Sequence, residues 1–416
     1  MKKGIFMNIT KRDVLELRRR LTKKDCSFSR MAGCYVGGSK NIITKFAQPF
    51  LDLEDDVFYK YLEIAKKVFS GTPGGNLLEL RFDSNEDAVV CQQLLDAVRG
   101  SALKNDSLLD RLYEQIIAQY DSTGNYLILL FHDIYDVPAR AQDGAALGES
   151  EEVYTYLLGA ICPVELSKPG IGYDENENCF GPRVRDWVVS LPELGFVYPA
   201  FIGGGSDVSA VLYYVKTGKT SHAEVMQQVL GCVPQRTAGE EKSCFQSIVN
   251  EAFGSEQEEA ENAMLSIQKN LNELIAVRDA DDLPPVAMTT EAVQDILSDT
   301  PIPAPVKEQI TKSYAAAFEG ALPPAQNLLD RKLVSAGMQR EQTLTLTRKI
   351  ESLEQQLAQK SDDTLPWDET PPAIVLQVSE DKAKQIQSQI IDGQKCLVIP
   401  LADGDGARIN GAAAAL

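Results

Sequence analysis

The chain has 416 residues, enough for two or three hydrophobic cores at ~150 residues per domain. Hydrophobic residues make up 44% and charged residues 24%, which excludes a wholly disordered chain. The formal net charge of −19 excludes a uniformly basic protein, and having only two histidines, His132 and His222, excludes any site built on several imidazoles.

The start, Met1 to Met7, is basic but has no apolar run of the signal-peptide kind. The most apolar stretch, Tyr126 to Phe131, is far short of the ~20 residues that span a bilayer, so no membrane partner is expected. The eight cysteines are scattered without a Cys-x-x-Cys pair. Zinc sites usually take two ligands from one turn, so the expectation is no metal, no cofactor, and reduced, mostly buried thiols in a cytoplasmic protein.

Residues 1–45 carry twelve Lys/Arg against three Asp/Glu, a net of +9 that leaves −28 on the remainder. Thr10 and Asp13 form a capping-box pattern that predicts a helix to about Leu21, with Val14, Leu17 and Leu21 on one face. Arg12, Arg19 and Lys23 share the opposite face with Glu16. Apolar runs on either side of Gly37-Gly38 predict a hairpin. A helix over 55–69 follows, then a strand over 77–82, helices over 85–99 and 106–120, and a strong strand over 126–133. Residues 138–150 read as a loop. Strands over 153–166, 183–189, 195–202 and 208–216 are too closely spaced for crossover helices, so antiparallel pairing is expected.

Ser221 with Glu224 predicts a short helix ending at Gly231. Helices are expected over 240–253 and, opened by Ser255 with Glu258, through Leu274. Short Pro-bounded helices follow over 281–330. Leu346, Ile350, Leu353 and Leu357 have the 4-3-4 spacing of a coiled-coil seam over about two heptads, the mark of a packed or dimerising arm. Residues 361–372 read as a linker. A small β unit is expected from Ala373 to Val378 and around the Asp392-Gly393 turn, then a flexible Gly/Ala-rich tail.

The fold class expected is α+β: a largely antiparallel central sheet with flanking helices, then a helical region and a small C-terminal β unit. The divisions expected are 1–136, an α/β part with the basic first helix, and 137–220, an antiparallel part sharing its core. After these come 221–360, helical; 361–372, linker; 373–401, β-hairpin unit; and 402–416, tail.

Four blocks carry a resemblance. They are Asn125 to Asp133 with Tyr135-Asp136-Val137-Pro138, Ile161 to Gly170, Arg185 to Val189, and Ile391 to Pro400. Together they resemble an uncharacterised bacterial family known only as a domain of unknown function, over nearly the whole chain from about Met7. Met1 to Phe6 then reads as an upstream extension, and the 335–365 segment and the Ala-rich tail as departures from the family pattern. The resemblance implies no activity and no catalytic residue. The order of elements is also similar to that of bacterial acidic nucleoid-associated proteins, with no shared motif.

Three sets of residues are candidates for function. His132-Asp133, with Asp136 nearby, is the doublet a metal-dependent hydrolase would use, and the alternative is that His132 caps a core layer. Arg183, Arg185 and Trp187 would share one face of a strand and hold phosphates or stack a ring, unless they form a salt-bridged sheet surface. Arg12, Arg18, Arg19, Arg20, Lys23 and Lys24 could dock on the acidic body, on an acidic partner or on nucleic acid. Asp174 to Asn178 imitates a calcium loop but has Cys179 and Arg185 where Gly and Glu belong, so it reads as a hairpin tip. Gly71 to Gly75 lacks the Gly-Lys-Ser/Thr of a phosphate loop and reads as a helix stop. His222 reads as an exposed first-turn residue. The expected function is binding or assembly without catalysis, through a protein partner or self-association. The alternatives are nucleic-acid binding and a hydrolase at His132.

Overall fold

The computed structural model describes residues 9–140, 146–176, 178–281, 283–361, 384–401, 407–409 and 412–414. The chain divides into two units, Met1–Gln342 and Thr343–Leu416.

The first unit opens with α1 (Lys11–Arg20), β1 (Phe28–Val36), β2 (Ile42–Pro49), α2 (Asp55–Val68), β3 (Leu77–Arg81), α3 (Glu86–Gly100), α4 (Asp106–Gln119) and β4 (Asn125–Arg140). It continues with β5 (Ala146–Leu166), β6 (Ile171–Asp174), β7 (Cys179–Pro182), β8 (Trp187–Val189), β9 (Leu194–Tyr198), β10 (Ala200–Ile202), β11 (Gly205–Asp207) and β12 (Ala210–Val215). One sheet has the order β2-β1-β4-β5-β9-β12-β3, with β8 also on β5, and every pairing is antiparallel. Helices cover both of its faces. Leu127, Leu129 and Phe131 of β4 face α1 and α2, and Tyr126, Ile128 and Leu130 face α3 and α4. A strand buried on both faces is apolar throughout, which is why 126–131 is the most apolar run of the chain.

Local chemistry sets the helix starts. The Thr10/Asp13 capping box forms, and Asn85 and Asn105 cap α3 and α4. Gly195 lets α2 approach the sheet, since a Cβ there would lie 2.6 Å from Val68 Cγ2. The outer edge of β3 is covered: Val233 N–H donates to Arg81 O, and Gln235 Nε2 to Glu79 O, both at 2.9 Å.

Three local expectations are corrected. Strands run into the 138–150 segment, because irregularities in the β4–β5 register on either side of Pro138 accommodate that residue. Ser221 and Glu224 form no capping box. The Ser221 N–H donates to Glu240 Oε1 instead, and residues Val225–Val229 make a π-helical turn. His222 precedes that turn at φ 53° and packs on Tyr120, with ring centroids 4.7 Å apart, so it is half-buried rather than exposed.

A separate core joins α5 (Ala238–Phe253), α6 (Gln257–Ala280), α7 (Thr290–Ser298), α8 (Ala304–Ala317) and the four-residue α9 (Ala325–Leu328). Phe245, Ile267, Leu271, Ile310 and Tyr314 fill it. Thr237 and Glu240 form the capping box of α5, whereas α6 starts without the Ser255 cap. α10 (Arg331–Ser361) follows.

In the second unit β13 (Gln387–Ile391) pairs with β14 (Gln394–Val398) around Asp392 at φ 50° and Gly393 at φ 82°. Asp-Gly tolerates this left-handed pair, as the sequence required. In the tail, β15 (Ala407–Ile409) pairs with β16 (Ala412–Ala414). The expected strand 373–378 and, apart from Ser361, the expected linker lie outside the described residues. The fold is α+β, with a large antiparallel sheet, helices after it and a small C-terminal β pair.

Candidate functional site

α1 lies on the sheet through Val14 and Leu17, with Leu21 just beyond its end, so its polar face turns to solvent. Arg12, Arg18, Arg19 and Lys24 are exposed, and among the described residues none has an ion pair. Lys23 pairs with Asp55, and that hydrogen bond raises its ammonium pKa. Arg20 departs from the set. Its guanidinium lies 3.5 Å from the Tyr135 ring centroid, donates to Ser27 Oγ at 2.6 Å and sits 3.6 Å from Asp133 Oδ2. One member of the expected basic face is thus the counter-ion of one member of the expected hydrolase doublet.

His132, Asp133 and Asp136 are not brought together. Successive residues of a strand point to opposite faces. His132 follows Leu130 toward the α3 and α4 side, where its Nδ1 lies 2.6 Å from Ser29 Oγ and burial lowers its pKa. Asp133 is 1% exposed on the α1 side, where it meets Arg20. Asp136 is exposed. Among the described residues no group of three or more His, Cys, Asp or Glu could hold a metal ion. Burial pushes the thiols of Cys26 and Cys34 up to about 11.

Arg183, Arg185 and Trp187 do not share one strand face, since the segment from Arg183 to Asp186 is irregular and β8 starts at Trp187. Two backbone-directed bonds hold it so: Arg185 Nε donates to Ser167 O at 2.6 Å, and Arg183 N–H to Gly170 O at 2.9 Å. The neighbouring β6–β7 hairpin exposes Ile171 and Phe180 at 81% and 78%. Apolar exposure of this kind was not legible from a segment whose turn is so acidic.

A cleft missed in the sequence opens between the β3 edge and the helical core, with a volume of about 550 Å³. Gly74, Gln235, Arg236, Glu241, Phe318 and Asn327 line it. Asn327 Nδ2 donates to Glu241 Oε2 at 2.7 Å and to Gly74 O at 3.1 Å. Arg236 donates to Ala317 O at 2.7 Å and lies 5.3 Å from the Phe318 ring centroid. Burial raises the Glu241 pKa to about 7, with Asn327 and Arg236 opposing the shift. These residues are more than 250 positions apart at the extreme (Gly74 and Asn327), and no motif links them.

On α10 the seam residues Leu346, Ile350 and Leu353 are 61%, 55% and 49% exposed. Among the described residues no helix is long and apolar enough to cross a membrane.

Comparison with curated proteins and with solved structures returned no match. A family model does match, described as Domain of unknown function (DUF4317), and it spans residues 7–412. The chain therefore belongs to the DUF4317 family, which carries no assigned activity.

Proposed function

We propose that this chain is a cytoplasmic assembly protein that acts by binding, and that it pairs with a second copy of itself through α10. The observation that carries the reading is the exposed row of Leu346, Ile350 and Leu353. With Ile350 at heptad position a and the two leucines at d, the row has the residue types that favour parallel two-stranded coiled coils. Lys349 then falls at g and Glu354 at the following e, five residues on, so two parallel copies place opposite charges across the seam. Neither residue has an ion pair among the described residues. The buried thiols of Cys26, Cys34, Cys91, Cys162 and Cys232 support a reducing compartment.

Sedimentation velocity of the full chain over ~1–300 μM, a range suited to a short interface, tests the reading. Wild type is expected to shift from monomer to dimer. Ile350→Asp should abolish the shift, Glu354→Lys should weaken it, and Lys349→Glu combined with Glu354→Lys should restore it. A wild type that stays monomeric at the highest concentration refutes the reading.

A second reading, nucleic-acid binding, is favoured by the exposed and unpaired Arg12, Arg18, Arg19 and Lys24 on and just after one helix.

A further inference from the structure

We propose that the cleft between the β3 edge and the helical core is a binding site for a small organic cation, an ammonium group carried on an apolar body. The cleft's volume of about 550 Å³ is in the range of small-molecule sites. Its walls are largely apolar: Leu78, Phe318 and Leu322 line it together with Pro73, Pro234 and Pro324. Such walls favour a hydrocarbon or aromatic body and offer little to a strongly hydrated ligand.

The polar groups decide the charge of the ligand. Arg236, the cationic side chain of the lining, is exposed, donates one N–H to the Ala317 carbonyl and lies beside the Phe318 ring, and its charge reaches Glu241 without an ion pair. Glu241 is half-buried and has one hydrogen-bond partner, the Asn327 amide, and no ion pair among the described residues. A carboxylate has about four lone-pair sites, so most of its acceptor capacity is left toward the cleft. Glu319 adds a second carboxylate to the rim. The lining thus carries two carboxylates against one guanidinium, so an anion meets net negative charge, whereas an ammonium would gain a charge-assisted bond in a partly desolvated setting.

Other titratable groups around the cleft do not supply this partner. Glu240 is bonded to the N–H groups of Ser221 and Thr237 and to the Thr237 hydroxyl. Tyr314 is buried with its hydroxyl donated to Met288 O. His222, in the loop beside Ser221, is held toward its neutral form by burial. Glu241 is therefore the group whose charge changes near neutral pH.

Saturation-transfer NMR on the full chain tests the site, with phenethylamine as the probe and 3-phenylpropionate as the charge-reversed match. At pH 8 transfer is expected to the amine and not to the acid. Glu241→Gln, which keeps the shape and can still accept from Asn327, should weaken amine binding by about tenfold or more. Glu273→Gln, an exposed carboxylate on α6, should leave it unchanged. Between pH 8 and pH 6 binding should fall up to about tenfold as Glu241 takes up a proton, given a pKa of about 7. Circular dichroism checks that each variant is folded. No amine binding at ~10 mM overturns the proposal, as does equal binding of the acid or full binding by folded Glu241→Gln.

Discussion

Replacing Gly159 by alanine tests how the centre of the sheet is packed. Gly159 on β5 lies opposite Phe196 on β9, whose ring crosses the strand to cover the glycine. An added Cβ would fall into that ring, with Cδ1 2.8 Å away and Cε1 and Cζ closer still. Phe196 is buried in the core shared with α3 and α4, so the ring has nowhere to turn. Overpacking of this kind costs ~1–3 kcal/mol, and removing a strand glycine returns about 0.5–1 kcal/mol, so a net loss of about 1–2 kcal/mol is expected. Gly33 on β1 is the internal control. It lies under Phe46 in the same way, with Cε2 2.9 Å from an added Cβ, but Phe46 sits half-exposed on the edge strand β2. That ring can swing outward, so Gly33→Ala should be neutral to within about 0.5 kcal/mol. Urea unfolding by far-UV circular dichroism, with hydrogen exchange of β5 and β9 peptides, reads both. Equal effects at the two sites, or a Gly159→Ala protein as stable as wild type, would refute the packing argument.

Other predictions follow from the charged groups. Burial lowers the His132 pKa, so below the unfolded value of ~6.5 the unfolded chain binds more protons and stability falls with acid. His132→Gln should flatten the melting-temperature profile between pH 7 and pH 5, and an unchanged slope counts against the assignment. Glu241 acts with opposite sign: its folded pKa of about 7 exceeds the unfolded value, so its contribution is lost as pH rises from ~4.5 to 7. Glu241→Gln should therefore stabilise the protein at pH 8 by up to about 2 kcal/mol and have little effect at pH 4.5; a destabilised variant at pH 8 contradicts this. Arg20→Ala leaves Asp133 buried without its counter-ion and should cost about 2–3 kcal/mol in urea unfolding, more than Asp133→Asn, and the reverse order would show that the pair is not a unit. If Arg12, Arg18, Arg19 and Lys24 bind a DNA duplex, fluorescence anisotropy should show a log–log salt slope of about −3 to −4 that Arg12→Glu with Arg19→Glu removes; no binding at low salt ends that reading.

Features governed by neighbouring residues were legible in the sequence. Thr10 and Asp13 cap α1, Val14 and Leu17 face the sheet, and Asp392-Gly393 turns the C-terminal hairpin. Each depends on bonds or dihedrals within a few positions. Ser221 with Glu224 has the same local grammar and failed, because Glu240, nineteen residues on, takes the Ser221 N–H. The arginines at 183 and 185 failed for a similar reason, since the Ser167 and Gly170 carbonyls hold the segment out of a strand.

The site residues divide along the same line. That Arg12 and Arg19 would be exposed follows from the helical period of α1, and that His132 and Asp133 would part follows from the two-residue period of β4. The pairing of Arg20 with Asp133 needed β1 to bring α1 and β4 onto one face. The Glu241 cleft needed β3 to pair with β12 and α9 to dock beside α5. Periodicity and capping are read within a few residues, where the covalent chain already holds the partners close. Which strand lies beside which, and which carboxylate ends near which guanidinium, depends on burying surfaces far apart in the chain, and only the folded protein sets those distances.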